Sequence, residues 1–296
     1  MDFDYDLLGK FKFWLSLSIV LILGGGLLIF LGGLNMGIDF AGGTEFTVEL
    51  EDSIPTGEIR SKLTDVDTAL SNSKIQEVRG ENWKTITTKL NVSENQDTIE
   101  DIEKTLYQSF SIPEGGISRK SVGTQISREL QNKGWQAVIL ALVVILIYLS
   151  WRFRLRYAIG AVLAVVHDVT IALALFSLFQ VEINLPTIGA FLTIVGYSLN
   201  DTIVYFDRIR ENTSKRSARA LTTFELINKS INQSLPRTLG TSATTFVPVL
   251  ALVLFGGPVL KAFSLALLIG VLVGTYSSIY IAAPVVYLWD KYLAKE

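Results

Sequence analysis

Six apolar runs, separated by polar segments, set the pattern along this chain. They cover residues 13–34, 135–151, 157–179, 185–206, 236–256 and 259–289. A helix of about 20 apolar residues, at about 1.5 Å per residue, crosses the roughly 30 Å hydrocarbon core of a bilayer. The pattern therefore predicts an α-helical membrane protein with six transmembrane helices, the last with room for a kinked or extended end at Pro284.

The polar interval between the first two runs has a mixed pattern. Alternating apolar positions predict strands at 44–50, 74–79, 83–92 and 117–122, and helical periodicity predicts helices at 56–66 and 97–110. The order β-α-β-β-α-β is that of a ferredoxin-like α+β domain. The polar segment 125–134 is predicted to be helical and to continue into the second span.

Three regions follow from these two patterns. Residues 1–34 hold the N-terminus and the first transmembrane helix, residues 35–134 form the α+β domain, and residues 135–296 form a five-helix transmembrane bundle. A loop at about 208–235 interrupts this bundle between its fourth and fifth spans.

Lysine and arginine residues indicate which side of the membrane each connection faces. They are concentrated before the first span, between the second and third, in the 208–235 loop and after the sixth span, whereas the connections 180–184 and 256–261 contain only Lys261. Short cytoplasmic loops are enriched in these residues. Both termini and the 208–235 loop are therefore predicted to be cytoplasmic, and the 35–134 domain extracytoplasmic.

The composition narrows the classes of function. The chain has no Cys and one His, so it offers no disulfide, thiol nucleophile or thiolate metal site. The sequence contains no Walker A run and no cluster of metal ligands, and its basic residues follow the membrane pattern. We therefore expect no enzyme, no cofactor and no nucleic-acid partner.

The fourth run carries the strongest candidate site. Tyr197, Asp201 and Tyr205 are spaced by four residues and share one helix face. A carboxylate in hydrocarbon costs roughly 2.5–3.5 kcal/mol on insertion scales and usually faces an ion or substrate path. Arg237 opens the fifth run at a comparable depth, and Thr241 continues a polar stripe inward. We interpret Asp201 and Arg237 as a switchable ion pair suited to proton passage; the alternative is a static polar contact between helices.

Asp168 and His167 in the third run form a second candidate. Histidine is suited to proton shuttling, although neighbouring residues point about 100° apart on a helix and cannot face one partner equally well. Hydrogen bonding between helices is the alternative interpretation. The residues predicted to support a relay at Asp201 are Asp168, His167, Asn200, Tyr205 and Thr241.

A glycine pair follows the first run. Gly42 and Gly43 permit a sharp turn and close backbone approach before the first strand, and Asp39 lies just ahead of them. We predict that these three residues form a hinge or turn.

Three motifs together resemble the SecF family, a subunit of the bacterial Sec protein translocase. They are GIDFAGGT at 37–44, SLNDTIVYFDRIREN at 198–212 and RTLGTS at 237–242. The resemblance covers essentially the whole chain and implies membership of the resistance-nodulation-division superfamily. It also implies a multi-pass protein of the bacterial plasma membrane that uses a proton gradient, or a sodium gradient, to complete preprotein export after the ATP-driven step.

The same resemblance implies residue roles and partners. Asp201 would be the proton-relay carboxylate and Arg237 its basic partner. The partners would be SecD, the SecYEG channel, the translocating preprotein and membrane lipids. The small residues of the sixth span, Gly270, Gly274, Ser277 and Ser278, permit close helix approach, and we expect a SecD subunit to pack against spans four to six.

Two other classes of function remain open. A proton-driven exporter of small molecules or lipids from the same superfamily would also need a carboxylate within the membrane. A non-transporting membrane scaffold would tolerate the loss of charge at Asp201 as long as its bundle assembled.

Overall fold

Each of the six apolar runs lies in a long helical segment of the structure, a computed structural model that describes residues 4–50, 54–77, 83–88, 96–215 and 220–293. The helices are α1 (Phe11–Gly32), α2 (Ile38–Ala41), α3 (Thr56–Val66), α4 (Gln96–Ser109), α5 (Thr124–Arg152), α6 (Leu155–Leu178), α7 (Leu185–Ser214), α8 (Thr223–Phe255), α9 (Gly257–Ser277) and α10 (Ala283–Tyr292). Helices α1 and α5–α8, and α9 with α10, give six segments long and apolar enough to cross a membrane. The prediction of a helical membrane protein is confirmed.

Three helices extend far beyond their apolar runs. Helix α5 begins at Thr124, which confirms the predicted helical segment before the second span. Helix α7 continues to Ser214 and α8 begins at Thr223, so the predicted loop at 208–235 was too long. A capping box fixes the start of α8: Thr222 and Glu225 each accept a hydrogen bond from the backbone N–H of the other. Each of these helices continues past its apolar run, because its backbone hydrogen bonds extend into the polar segment.

The sixth span is one helical run with a change of pitch. Helix α9 passes into a π-helix at Ser278–Ala282, and α10 follows with Pro284 in its first turn. Proline has no N–H to donate to the preceding turn, and the wider π turn lies directly before it. The predicted irregularity near Pro284 is therefore a π turn, and the chain does not become extended there.

The chain divides into two compact units, and the first comprises Met1–Asn35 and Gln136–Glu296. Its apolar core joins residues of α6–α8 with those of the sixth span. The segment before α1 is anchored on α8. There Asn228 Oδ1 accepts hydrogen bonds from the N–H groups of Leu7 (3.0 Å) and Leu8 (2.9 Å), and Asn232 bonds both backbone groups of Tyr5.

The second unit comprises Met36–Trp135 and contains a four-stranded antiparallel sheet. Its strands are β1 (Gly43–Glu49), β2 (Lys74–Glu77), β3 (Trp83–Thr88) and β4 (Ile117–Val122), in the order β2-β3-β1-β4. The residues at the far ends of the predicted second and third strands, 78–79 and 89–92, lie outside the described residues. A single apolar core holds Phe46 and Ile86 of the sheet with residues of α3 and α4.

The glycine pair joins α2 to β1, and Gly43 is the first residue of that strand. Gly42 has φ +74° and Gly43 has φ +124°, a region that favours glycine. A Cβ atom on Gly42 would also lie 3.3 Å from the hydroxyl of Ser127. Asp39 is buried, and its carboxylate lies 2.8 Å from Lys120 Nζ. The pair therefore turns the chain where α2 meets the sheet.

Candidate functional site

Asp201 lies in the middle of α7 and is buried, with 1% of its surface exposed. The hydroxyl of Ser242 on α8 donates to its Oδ2 at 3.5 Å, and Asn200 Nδ2 donates to its Oδ1 at 3.5 Å. Both distances are at the long limit of a hydrogen bond. The carboxylate therefore lies in the bundle with weak polar support, a costly arrangement within a membrane.

Arg237 does not form the ion pair with Asp201 that the sequence predicted. No ion pair within 4.0 Å links the two residues in the part of the chain that the structure describes. Arg237 instead lines a cavity of about 520 Å³ between α5, α7 and α8. A guanidinium in an open polar cavity keeps its hydration, whereas pairing beside Asp201 would bury it.

The cavity brings polar side chains close to the candidate site. Its lining includes Asn200, the neighbour of Asp201, together with Asp207, Arg208 and Glu211 from the next turns of α7. The Arg208 guanidinium lies 2.7 Å from Glu211 Oε2. The cavity supplies a polar approach that ends one residue from Asp201.

Two other predicted residues have different surroundings. The hydroxyl of Thr241 donates within its own helix, to the carbonyl oxygens of Arg237 (3.2 Å) and Thr238 (2.9 Å). Tyr205 is fully buried, and among the described residues its hydroxyl has no hydrogen-bond partner. Unpaired buried hydroxyls are uncommon and call for a local explanation such as water. Thus Asn200 and Ser242 are brought to Asp201, and Thr241 also interacts with its carboxylate while it donates within its own helix.

Asp168 and His167 form a second buried site with far better polar support. Asp168 is 0% exposed and His167 is 4% exposed. The two residues are joined through His167 Nδ1 and Asp168 Oδ1 at 2.8 Å. The second oxygen of Asp168, Oδ2, accepts hydrogen bonds from Ser198 on α7 (2.6 Å) and Ser277 on α9 (2.9 Å).

The other ring nitrogen of His167 faces two further helices. Its Nε2 lies 2.6 Å from the Tyr276 hydroxyl on α9 and 3.0 Å from the Ser18 hydroxyl on α1. Those two hydroxyls are 2.8 Å apart. Both residues therefore reach α9, His167 at Tyr276 and Asp168 at Ser277, while their side chains also bond each other.

Four consecutive residues at the end of α9 and the start of the π turn, 275–278, hydrogen-bond to groups at both sites. Thr275 bonds Ser242 (2.8 Å), which in turn reaches Asp201. Ser278 bonds Thr202 on α7 (3.0 Å). Between them lie the two residues that reach His167 and Asp168. Sequence reasoning missed Ser18 and Tyr276 and regarded Ser277 only as a small residue; the signal available was a polar run inside an apolar span.

Glycines of α9 determine how closely it approaches α7. A Cβ atom on Gly270 would lie 2.2 Å from a side-chain carbon of Ile194, and one on Gly274 would lie 3.3 Å from Ser198. The sequence assigned these small residues to contact with a partner subunit. In the structure Gly270 and Gly274 face α7 of the same chain, and this close approach lets Ser198 and Ser277 share one carboxylate.

The fold and the site define a class: a membrane protein of several helical spans with two carboxylates buried in its bundle and a separate α+β unit. Family models place it more narrowly. The model described as "Protein export membrane protein SecD/SecF, C-terminal" matches residues 101–292, and the SecD/SecF GG motif matches residues 27–54. The chain belongs to the SecD/SecF family.

Individual relatives agree with this family. The protein translocase subunit SecF of Petrotoga mobilis is 41% identical, covering 96% of this chain and 95% of the relative. The subunit SecF of Thermodesulfovibrio yellowstonii is 42% identical, covering 97% and 95%. A crystal structure of SecDF from Thermus thermophilus superposes with a TM-score of 0.86 at 35% identity, covering 98% of this chain and 39% of that protein.

Proposed function

We propose that this chain is a subunit of a bacterial Sec translocase that works with SecD and uses a proton gradient to drive preprotein export. The observation that carries the proposal is the carboxylate of Asp201, buried in α7 beside a polar cavity, in a chain of this family. The energy available is adequate, because one charge moved through 100 mV is worth about 2.3 kcal/mol.

Asp201 is the proton-binding group in this proposal, and Arg237 is its mobile partner. A protonated Asp201 is neutral and needs no counter-charge in the bundle. An ionised Asp201 attracts the guanidinium of Arg237 from the cavity, since its two present hydrogen bonds, both at 3.5 Å, leave the charge poorly stabilised. Each proton would therefore move α8 relative to α7.

The proposal also covers partners and topology. SecD is the proposed direct partner, supported by the Thermus thermophilus protein whose name joins SecD and SecF and of which this chain matches 39%. The SecYEG channel, the preprotein and membrane lipids are the other proposed partners. The chain acts as a transport subunit without enzymatic activity or a cofactor, in the bacterial plasma membrane with both termini cytoplasmic.

We further propose that residues 35–134 form an extracytoplasmic ferredoxin-like domain, while residues 1–34 and 135–296 supply the membrane part. Support comes from the strand order β2-β3-β1-β4, from the two helices packed on a shared core, and from the lysine and arginine distribution. Cysteine labelling from outside the cell at a β-strand position tests the orientation. Labelling that requires a permeabilised membrane would overturn it.

The test of function is gradient-dependent export in vesicles that contain the complex with SecD. Asp201→Asn is expected to reduce export to the level without the complex, because the amide cannot take up and release a proton, and Asp201→Glu is expected to restore part of it. Asp101→Asn, an exposed substitution on α4, is the control. Full export by Asp201→Asn in an intact complex would contradict the proposal.

A further inference from the structure

We propose that the His167–Asp168 pair is a second proton-binding site, linked to the Asp201 site through α9. The proposal rests on the proton-driven function given above and adds a group to it. Its basis is geometric: both side chains are buried, and hydroxyls from α1, α7 and α9 surround them.

Charge balance indicates that this pair holds one proton. In the described part of the chain, Asp168 has no Lys or Arg within ion-pair distance, and its charged neighbour can only be His167. A net charge at such a buried position is expensive. The neutral pair is either an imidazolium with a carboxylate or an imidazole with a carboxylic acid, and both forms contain one bound proton beyond the fully deprotonated pair.

The surrounding groups can accommodate the loss of that proton. Release leaves one negative charge on Asp168, and the hydroxyls of Ser198 and Ser277 already donate to its Oδ2. The titratable group that α9 presents to the pair is Tyr276, whereas α1 presents Ser18 and α7 presents Ser198. Two hydroxyl donors at a carboxylate stabilise its charged form.

Ser277 has a second hydrogen-bond partner, so its hydroxyl can change partners when the pair gains or loses its proton. Its hydroxyl lies 2.9 Å from Asp168 Oδ2 and 3.2 Å from the carbonyl oxygen of Gly274. When a proton from water adds to Oδ2, that oxygen becomes a donor. Ser277 can then donate to Gly274 and accept from Asp168, so no polar group loses its partner.

The position of Ser277 connects the two sites. It lies between Thr275, whose partner Ser242 reaches Asp201, and Ser278, which bonds Thr202 beside Asp201. It also adjoins the π turn, a geometry found mostly in single turns and often at functional sites. A proton at Asp168 therefore acts on the same stretch of helix that supports Asp201.

The test is pH-difference infrared spectroscopy of the purified complex with SecD, which detects protonated carboxyl groups directly. Asp168→Asn is expected to remove either one carboxylic-acid carbonyl band or the paired carboxylate and imidazolium bands, according to which neutral form the pair takes, and Asp201→Asn is expected to remove a different carboxyl band. Ser277→Ala is expected to shift the frequency of the Asp168 band. Ser264→Ala should leave it in place, because the Ser264 hydroxyl on α9 bonds only Leu260 of its own helix among the described residues.

The outcomes separate the two proposals. If Asp168→Asn leaves the difference spectrum unchanged while Asp201→Asn alters it, the second site is wrong and the proposed function stands. If Asp201→Asn keeps full export, the proposed function fails regardless of the bands. Should Asp168→Asn not assemble, the pair Ser277→Ala and Ser264→Ala decides, and equal spectra from both would overturn the inference.

Discussion

Alanine at Gly270 should weaken the contact between α7 and α9 that supports the Asp168 site. The new Cβ atom would lie 2.2, 2.7 and 2.8 Å from three side-chain carbons of Ile194. Ile194 is β-branched and has essentially one rotamer in a helix, so its side chain cannot turn away. Overpacking of this kind typically costs about 1–3 kcal/mol, which is roughly a 5- to 150-fold change in the unfolding equilibrium.

Reversible unfolding of the purified protein in mixed detergent micelles, followed by circular dichroism, measures this cost. Gly26→Ala on α1 is the matched control, because a Cβ atom there has nothing within 4 Å. Alanine is the better helix former by up to about 1 kcal/mol. The control should therefore be unchanged or slightly more stable.

A double variant isolates the steric contribution to the change in the free energy of unfolding. Ile194→Ala alone should cost about 2–5 kcal/mol by leaving a cavity. In the Gly270→Ala, Ile194→Ala double variant the new methyl group occupies part of that cavity, so the total cost should fall below the sum of the two. Strict additivity, or a Gly270→Ala protein as stable as the Gly26→Ala control, would refute the close α7–α9 packing.

Two further predictions concern other contacts of the helical unit. Asn228→Ala removes the acceptor of the Leu7 and Leu8 N–H groups, so it should cost about 1–3 kcal/mol and speed hydrogen exchange at those two amides, as measured by mass spectrometry. The half-buried ion pair of Arg156 with Asp290 should show a coupling of about 1.5–3 kcal/mol in a double-mutant cycle of unfolding.

Matched references sharpen both tests. The Glu211–Lys215 pair has side chains 49% and 47% exposed, so its cycle should give only about 0–1 kcal/mol. Equal coupling in the two cycles would contradict the role assigned to burial. For Asn228→Ala, amides within α4 serve as the internal reference. Unchanged hydrogen exchange at Leu7 and Leu8 would show that the Asn228 contact does not hold this segment in place.

The sequence predicted the spans well because a bilayer imposes one length and one composition on every crossing helix. The six runs and the site carboxylate Asp201 followed from that rule. The ends of the helices did not follow from it, since α7 and α8 continue through polar segments where hydrophobicity gives no signal. The loop predicted at 208–235 was an error of this kind.

Partners across helices were the other part that the sequence could not supply. Ser18 lies 149 residues from His167, and Ser277 lies 109 residues from Asp168. No periodicity within a single helix reports which face of a distant helix it meets. The predicted Asp201–Arg237 pair relied on equal depth alone. Depth places two residues at one level, but it does not determine which way a long side chain points.

The contrast between the two carboxylates suggests a division of labour within the proposed function. Asp201 has two hydrogen bonds of 3.5 Å and lies one residue from a wide polar cavity, so protons can reach it from water. Asp168 has three hydrogen bonds between 2.6 and 2.9 Å. It is level with Ser198, which lies about 4.5 Å from Asp201 along α7, towards Leu185, at 1.5 Å per residue.

A carboxyl group with three short hydrogen bonds gains or loses its proton less readily, and each change must alter its hydroxyl partners. Within the two proposals, exchange with water therefore belongs to Asp201, and the conformational response of α9 belongs to Asp168.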